Sequence, residues 1–289
     1  MTEIQPEHET EVRQQNVLIN GRHRFDINVW RLFLLAISKI EKTDSSGMRY
    51  CFSWKEVHHV TRGAIDTSRK AKEACRTLLK KEICLQEGKV ATGFNFIAEY
   101  RIDGDDFLEV TFANGMQELV CDLYNVGHYT KYSLEIARNL RSAYSMRLYE
   151  ILKSESWKKT SVTLEIISIK RRLDIPEDSP TYSRFTDFRR LIIDRGQKDL
   201  QEGTDICFTW TPIKTRKKVT SIKFDITKNL SWESVLKDAV EPAVEPAVEP
   251  IAMSRKEMTQ HYWDQEEKRK SLQEKVKHPA FIYVPPDER

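Results

Sequence analysis

The chain has 289 residues, 39% of them hydrophobic and 31% charged, with 47 Lys and Arg against 44 Asp and Glu for a net charge of +3. That is the make-up of a globular protein with some solvated tail, and the length suits one large domain or two small ones. No apolar run approaches the roughly 18–20 residues a bilayer crossing takes, and residues 1–16 are acidic and polar, unlike a signal or transit peptide, so neither a membrane nor a secreted protein is expected.

Cys51, Cys75, Cys84, Cys121 and Cys207 show no C-x-x-C spacing, and an odd number of cysteines argues against a disulfide framework. They read as small core residues in a reducing cytosol. Neither G-x-x-x-x-G-K-[ST] nor G-x-G-x-x-G occurs, so no nucleotide cofactor is expected. The total charge conceals a pattern. Residues 1–16 carry −3, 17–126 carry +1, 127–228 carry +8, 229–250 carry −4 and 251–289 carry +1. A basic block between acidic segments points to a nucleic-acid-facing module, although such a block can also be no more than a solvated face.

Asn28 is the expected N-cap of an apolar helix carrying Val29, Trp30, Leu32, Phe33, Leu34, Ala36, Ile37 and Ile40. Asp44 to Gly47 make a turn, Met48 to Trp54 a short strand and Ser53 to Val60 a short helix. A longer helix follows over Ile65 to Lys81. Ala71, Ala74, Cys75, Leu78 and Leu79 share one of its faces, and Arg69, Arg76 and Lys80 share the other with Glu73. Strands are expected over Cys84–Gln86, Gly93–Ile102 and Phe107–Phe112, the last two joined by Asp103-Gly104-Asp105.

A second stretch repeats this order. It has a long helix from Tyr132 to Ser154, a strand from Ser161 to Leu164, a short helix ending near Leu173 and an acidic, proline-bearing loop from Asp174 to Pro180. Then come a helix from Ser183 to Gln201 and a hairpin of Asp205–Thr211 with Val219–Thr227, where Ile222, Phe224 and Ile226 alternate as a half-buried strand requires. Helix, strand, short helix, long helix and two-stranded wing describe a winged helix-turn-helix. The expected fold is therefore α+β, two tandem winged helices over 17–126 and 127–228. A disordered acidic N-terminus occupies 1–16, an Ala-Val-Glu-Pro linker 229–253, and a C-terminal helix and tail 254–289. Proline at every fourth residue of that linker forbids a regular helix. Ser254 and Glu257 form a capping-box pattern opening the terminal helix.

The helix Ser183–Gln201 has an apolar stripe of Phe185, Phe188, Leu191 and Ile192. Opposite it lie Ser183, Thr186, Asp187, Arg190, Asp194 and Gln197, with Arg184 and Arg189 at the flanks. The second helix of a helix-turn-helix enters the major groove, where arginine pairs bidentately with guanine and serine or threonine contacts bases or phosphates. Lys214, Arg216, Lys217 and Lys218 crowd the turn of the second hairpin, and Lys170, Arg171 and Arg172 precede the helix. Three basic clusters converging on one face suit a phosphate backbone. In the first module Arg62, Arg69, Arg76 and Lys80 make a weaker second face, diluted by Asp66 and Glu73.

Catalysis and metal binding find little support. A nicking enzyme places two histidines one residue apart on a strand, and here His58 and His59 are adjacent at the end of a short helix. Tyr144 and Tyr149 sit on an apolar helix and read as core. An enzyme is not expected.

Four stretches carry a family resemblance. Trp30 to Ile40 looks like the opening helix of the iteron-binding plasmid replication initiators, the Rep proteins with two winged-helix domains. Tyr129 to Leu134 is similar to the entry to their second domain. Leu140-Arg141-Ser142-Ala143-Tyr144-Ser145-Met146-Arg147-Leu148-Tyr149-Glu150-Ile151-Leu152 resembles their Ser-x-Tyr-Ser-x-Arg-Leu-Tyr-Glu-Leu-Leu pattern, and Tyr182 to Ile193 with the strand Lys217 to Phe224 resembles their reading helix and wing. The chain departs at Asp199-Leu200-Gln201, where the family often has Glu-Ile-Asn. Within the patterned helix Arg147 could pack between domains or reach a phosphate. The resemblance covers about residues 17–228. It implies a sequence-specific binder of double-stranded DNA acting on origin direct repeats and an operator, with the host initiator, the replicative helicase and a second copy of itself as partners. A bacterial cytosolic location follows, and so does self-repression as a dimer paired through the first domain. A winged-helix transcriptional regulator without a replication role fits the same residues.

Overall fold

The computed structural model describes residues 10–41, 44, 47–87, 89–103, 107–121, 128–157 and 159–232. Of the linker expected over 229–253 only residues 229–232 are described, with Trp232 buried; the rest of it, the terminal helix and the Gly104-Asp105 tip of the first hairpin lie outside the described residues.

The chain enters as β1 (Glu11–Gln15), paired antiparallel with β7 (Tyr129–Ser133) so that Val12 faces Tyr132. The expectation of disorder through residue 16 is therefore corrected over this strand. Its polar composition conceals the pairing because two of its inward side chains are glutamines, Gln14 and Gln15, which are buried with hydrogen-bond partners. A short α1 (Asn16–Asn20) follows, then α2 (Ile27–Ser38). The α2 N-cap is Asp26 rather than Asn28: the Asn28 amide donates to Asp26 Oδ1 at 2.9 Å, while the Asn28 side chain accepts from Arg31.

Next come β2 (Arg49–Ser53) and α3 (Trp54–Thr61), the latter opened by a Ser53/Glu56 capping box. Thr67 caps α4 (Ser68–Lys80), which buries Ala71, Ala74, Cys75 and Leu78 as its periodicity demands. Beyond it stand β3 (Glu82–Glu87), β4 (Val90–Asn95), β5 (Ile97–Asp103) and β6 (Phe107–Phe112). The strand expected over Gly93–Ile102 is thus two, broken at Phe96. That ring sinks into a cluster with Phe25, Trp30 and Phe33 at centroid distances of 4.7–6.0 Å. An unanticipated α5 (Asn114–Cys121) precedes β7.

The helix expected over Tyr132–Ser154 is β7 followed by two helices, α6 (Leu134–Asn139) and α7 (Ala143–Ser156). The interruption has a partner far away in the sequence. Buried Arg31 donates to the carbonyls of Ala137 at 2.9 Å and of Arg138 and Leu140 at 2.8 Å, satisfying acceptors that the end of α6 would otherwise leave orphaned.

The second half has β8 (Ser161–Glu165), α8 (Ile166–Arg172), a 3-10 turn (Pro180–Tyr182) and then one uninterrupted helical run. This run comprises α9 (Phe185–Phe188), a π turn (Arg189–Asp194) and α10 (Arg195–Gly203). A long hairpin of β9 (Ile206–Thr215) and β10 (Lys218–Lys228) closes the module. The two modules share a sheet plan, with orders β2-β6-β5 and β8-β10-β9. In each, the strand before the helix pair returns to the last wing strand, Phe52 against Leu108 and Leu164 against Ile222. The fold is α+β, two tandem winged helices, with the β3–β4 hairpin as an addition to the first.

Helix α7 is the spine between the modules. Its Glu150 is fully buried and accepts from Gln14 at 2.9 Å, Trp30 at 3.0 Å, Tyr132 at 2.8 Å and Arg147 at 2.7 Å. Arg147, equally buried, also donates to Ile19 O at 2.7 Å, Gly21 O at 3.2 Å and Arg172 O at 3.3 Å. The open question about Arg147 is settled by this geometry: it joins the modules internally and cannot reach a phosphate.

Candidate nucleic-acid interface

Helix α7 also seats the reading helix. Ser145 donates to Asp199, and Tyr149 donates to Asp205 Oδ1 at 2.9 Å beside the Lys153–Asp205 ion pair. A Cβ on buried Gly196 would lie 2.6 Å from Leu148 Cδ2, so α10 approaches α7 as closely as glycine permits. Phe188, Ile192, Ile193 and Leu200 are buried beneath the run, and Phe185 meets Trp210 of β9 edge-on at 6.4 Å. Of the expected inner stripe Phe188 and Ile192 are buried and Phe185 and Leu191 half-buried, while Ile193 and Leu200 join them, and Ser183, Arg184, Thr186, Arg189 and Arg190 are exposed. Arg190 is 71% exposed and lies 3.6 Å from Asp187, while Arg189 lies 3.3 Å from Asp194.

Beside this helix stands the wing. Lys214, Arg216, Lys217 and Lys218 are all exposed at its tip, where Lys218 pairs with Thr215 across the turn. Arg216 occupies the left-handed region at φ 59°, which glycine or asparagine adopts more readily. A strained arginine kept at a hairpin tip is what a functional demand for positive charge would retain. Burial lowers the Lys170 pKa, and the charge of Lys218 lowers it further.

Three of the expected contact residues also have partners within the protein. Lys170 donates to Tyr182 O at 2.5 Å and lies 5.6 Å from the Phe188 ring centre, so it pins the start of the reading helix. Arg172 is mostly buried and pairs with Glu155 at 3.0 Å. Gln197 donates to Phe208 O at 2.8 Å, tying α10 to the wing. Each side chain thus spends part of its hydrogen-bonding capacity inside the protein. Arg171 stays exposed. Arg69, Arg76 and Lys80 are exposed along α4, with Arg69 3.7 Å from Glu73.

Among the described residues no group of three His, Cys, Asp or Glu side chains gathers at metal-binding distance, and no helix is long and apolar enough to cross a membrane. His59 sits 3.0 Å from Glu135, and Tyr149 is buried, its hydroxyl pKa raised by burial and by Asp205. Of the cysteines only Cys75 is buried, its thiol pushed up to about 12 by burial, while Cys84 is exposed.

Two winged helices, the second with an arginine-bearing helix beside a basic wing, define a DNA-binding protein of the tandem winged-helix class. Residues 11–153 match the family model described as Initiator Replication protein, WH1, and residues 165–226 match that described as Initiator Rep protein, WH2. The chain belongs to the initiator Rep protein family and is a DNA-binding initiator of replication. The WH1 match extends through α7 to residue 153, beyond the boundary expected at residue 126.

Among solved structures, the Pi initiator protein in complex with iteron DNA shares the fold at a TM-score of 0.62 and 15% identity, over 77% of this chain and 98% of that one. Domains 2 and 3 of RctB align at a TM-score of 0.44 and 15% identity, over 71% of this chain and 81% of that one. No curated protein sequence matches the chain.

Proposed function

We propose that this protein initiates replication of a plasmid by binding direct repeats in its origin, one winged helix to each half-site, as a monomer. The observation that carries the reading is the pairing of an outward arginine row on the second reading helix with a strained basic wing tip. Buried Arg147 supports it, since it bonds to carbonyls of both modules and ties one to the other. The Pi initiator protein, whose fold the chain shares, is bound to iteron DNA.

Phosphate contacts by the wing supply affinity, and base contacts by the second reading helix supply specificity. The bound protein promotes opening of a neighbouring A+T-rich region and recruits the host initiator and the replicative helicase in the bacterial cytosol. As a dimer paired through the first module it represses its own promoter. The protein itself makes or breaks no bond in this scheme.

The test is site selection from a random duplex library at about 150 mM salt, since affinities have meaning only at a stated ionic strength. The expected product is one asymmetric motif of roughly two helical turns, repeated in tandem at the origin. Enrichment of a single palindrome would instead indicate a transcriptional regulator. Absence of any motif would overturn sequence-specific binding altogether.

A further inference from the structure

The reading helix is regular except in its middle, where six residues, Arg189–Asp194, adopt the wider π turn. Such turns are rare and recur at functional sites. Here the packing explains the geometry. Phe188, Ile192, Gly196 and Leu200 are all buried, at intervals of four residues. An α-helix advances about 100° per residue, so by Leu200 a regular helix would have carried this stripe about 120° around its axis from Phe188. The wider turn takes up that drift, keeping both ends of the helix seated, with Gly196 hard against Leu148.

A second observation lies on the outer face. Arg189 Nε is 3.3 Å from Asp194 Oδ2, a pair five residues apart. In a regular α-helix such residues diverge by about 140° and do not meet; the π turn stacks them. The neighbouring pair, Arg190 with Asp187, has the ordinary three-residue spacing. The two adjacent arginines are thus tethered in opposite directions along the helix, one to each acid.

We propose that the π turn is a specificity element of this helix, in which Asp194 is a positioning residue that holds the Arg189 guanidinium in one pose for a guanine edge. The inference rests on the reading of this helix as the base-reading one. An aspartate on a surface that meets phosphates opposes binding to every sequence, so its contribution is to discrimination and not to affinity.

The test uses the full chain and the duplex recovered by site selection, with single-base-pair variants of it and an unrelated duplex, read by fluorescence anisotropy. Arg189→Ala should lose preference at one base pair. Asp194→Asn should lose part of that same preference, by up to about fivefold for a half-exposed pair, while binding the unrelated duplex more tightly. In the Arg189→Ala background Asp194→Asn should change no preference, and Asp194→Glu, which keeps the charge, should retain most of it. Thermal unfolding close to that of the parent establishes that each variant is folded.

Undiminished preference in Asp194→Asn overturns the proposal, as does an equal loss with Arg189 already removed. If neither Arg189→Ala nor Arg190→Ala alters preference at any base pair, the base-reading role of the helix itself falls, a result distinct from failure of the tether alone.

Discussion

Replacing Arg147 by alanine tests the joint between the modules. The guanidinium and the Glu150 carboxylate are 2% and 0% exposed and 2.7 Å apart. Removing the arginine leaves a buried carboxylate with only the neutral donors Gln14, Trp30 and Tyr132, and strips a donor from the Ile19, Gly21 and Arg172 carbonyls. Breaking a buried pair from one side costs about 3–5 kcal/mol, a large part of the roughly 5–15 kcal/mol that holds a domain folded. Urea unfolding followed by tryptophan fluorescence reads this directly, because Trp30 donates to the same carboxylate at 3.0 Å. The double variant Arg147→Met with Glu150→Gln should lose less than Arg147→Ala alone, since no charge is left buried. A loss below about 1 kcal/mol in Arg147→Ala, or a double variant as damaged as the sum of its single changes, would refute the argument.

Three further outcomes follow from the same structure. Burial first, then the charges of Arg147 and Lys81, hold the His23 imidazole well below its ordinary pKa. The unfolded chain therefore takes up a proton near pH 6.5 that the folded chain refuses. The His23 contribution to stability is complete above that pH and falls by about 1.4 kcal/mol per unit below it. His23→Phe, set among Phe25, Trp30 and Phe96, should flatten the dependence between pH 7.5 and 5.5, and slopes identical to the parent would count against it. Arg190→Ala should weaken binding to the selected site by about 1–3 kcal/mol and spare the unrelated duplex; equal loss on both would remove it from base recognition. Lys217→Ala should weaken binding to all sequences and reduce the slope of log affinity against log salt by about one unit, so an unchanged slope would take it off the phosphates.

Elements governed by neighbours along the chain were legible without coordinates. The strand–helix–helix–wing order, the stripe under the reading helix and the basic hairpin tip all express local periodicity or turn chemistry. Elements governed by distant partners were not. Strand β1 has no apolar alternation to betray it, because its buried glutamines donate through their amide nitrogens to Tyr132, Glu150 and the Glu118 carbonyl, more than a hundred positions away. The α6–α7 break lies in a run whose hydrophobic spacing continues through it, and it is Arg31, arriving from α2, that makes the break tolerable. The π turn is likewise absent from composition, although the four-residue spacing of Phe188, Ile192, Gly196 and Leu200 is its trace.

Local pattern was enough for the class of protein and for the buried faces of helices such as α4, because burial of apolar surface follows the helical and strand periods. Which polar side chains also bond inside the protein depends on the tertiary contacts. On a helical wheel Lys170, Arg172 and Gln197 are indistinguishable from Arg171, Arg189 and Arg190. Their polar tips go to Tyr182, Glu155 and Phe208, and a hydrogen bond to a residue brought near by folding leaves no mark on the local pattern.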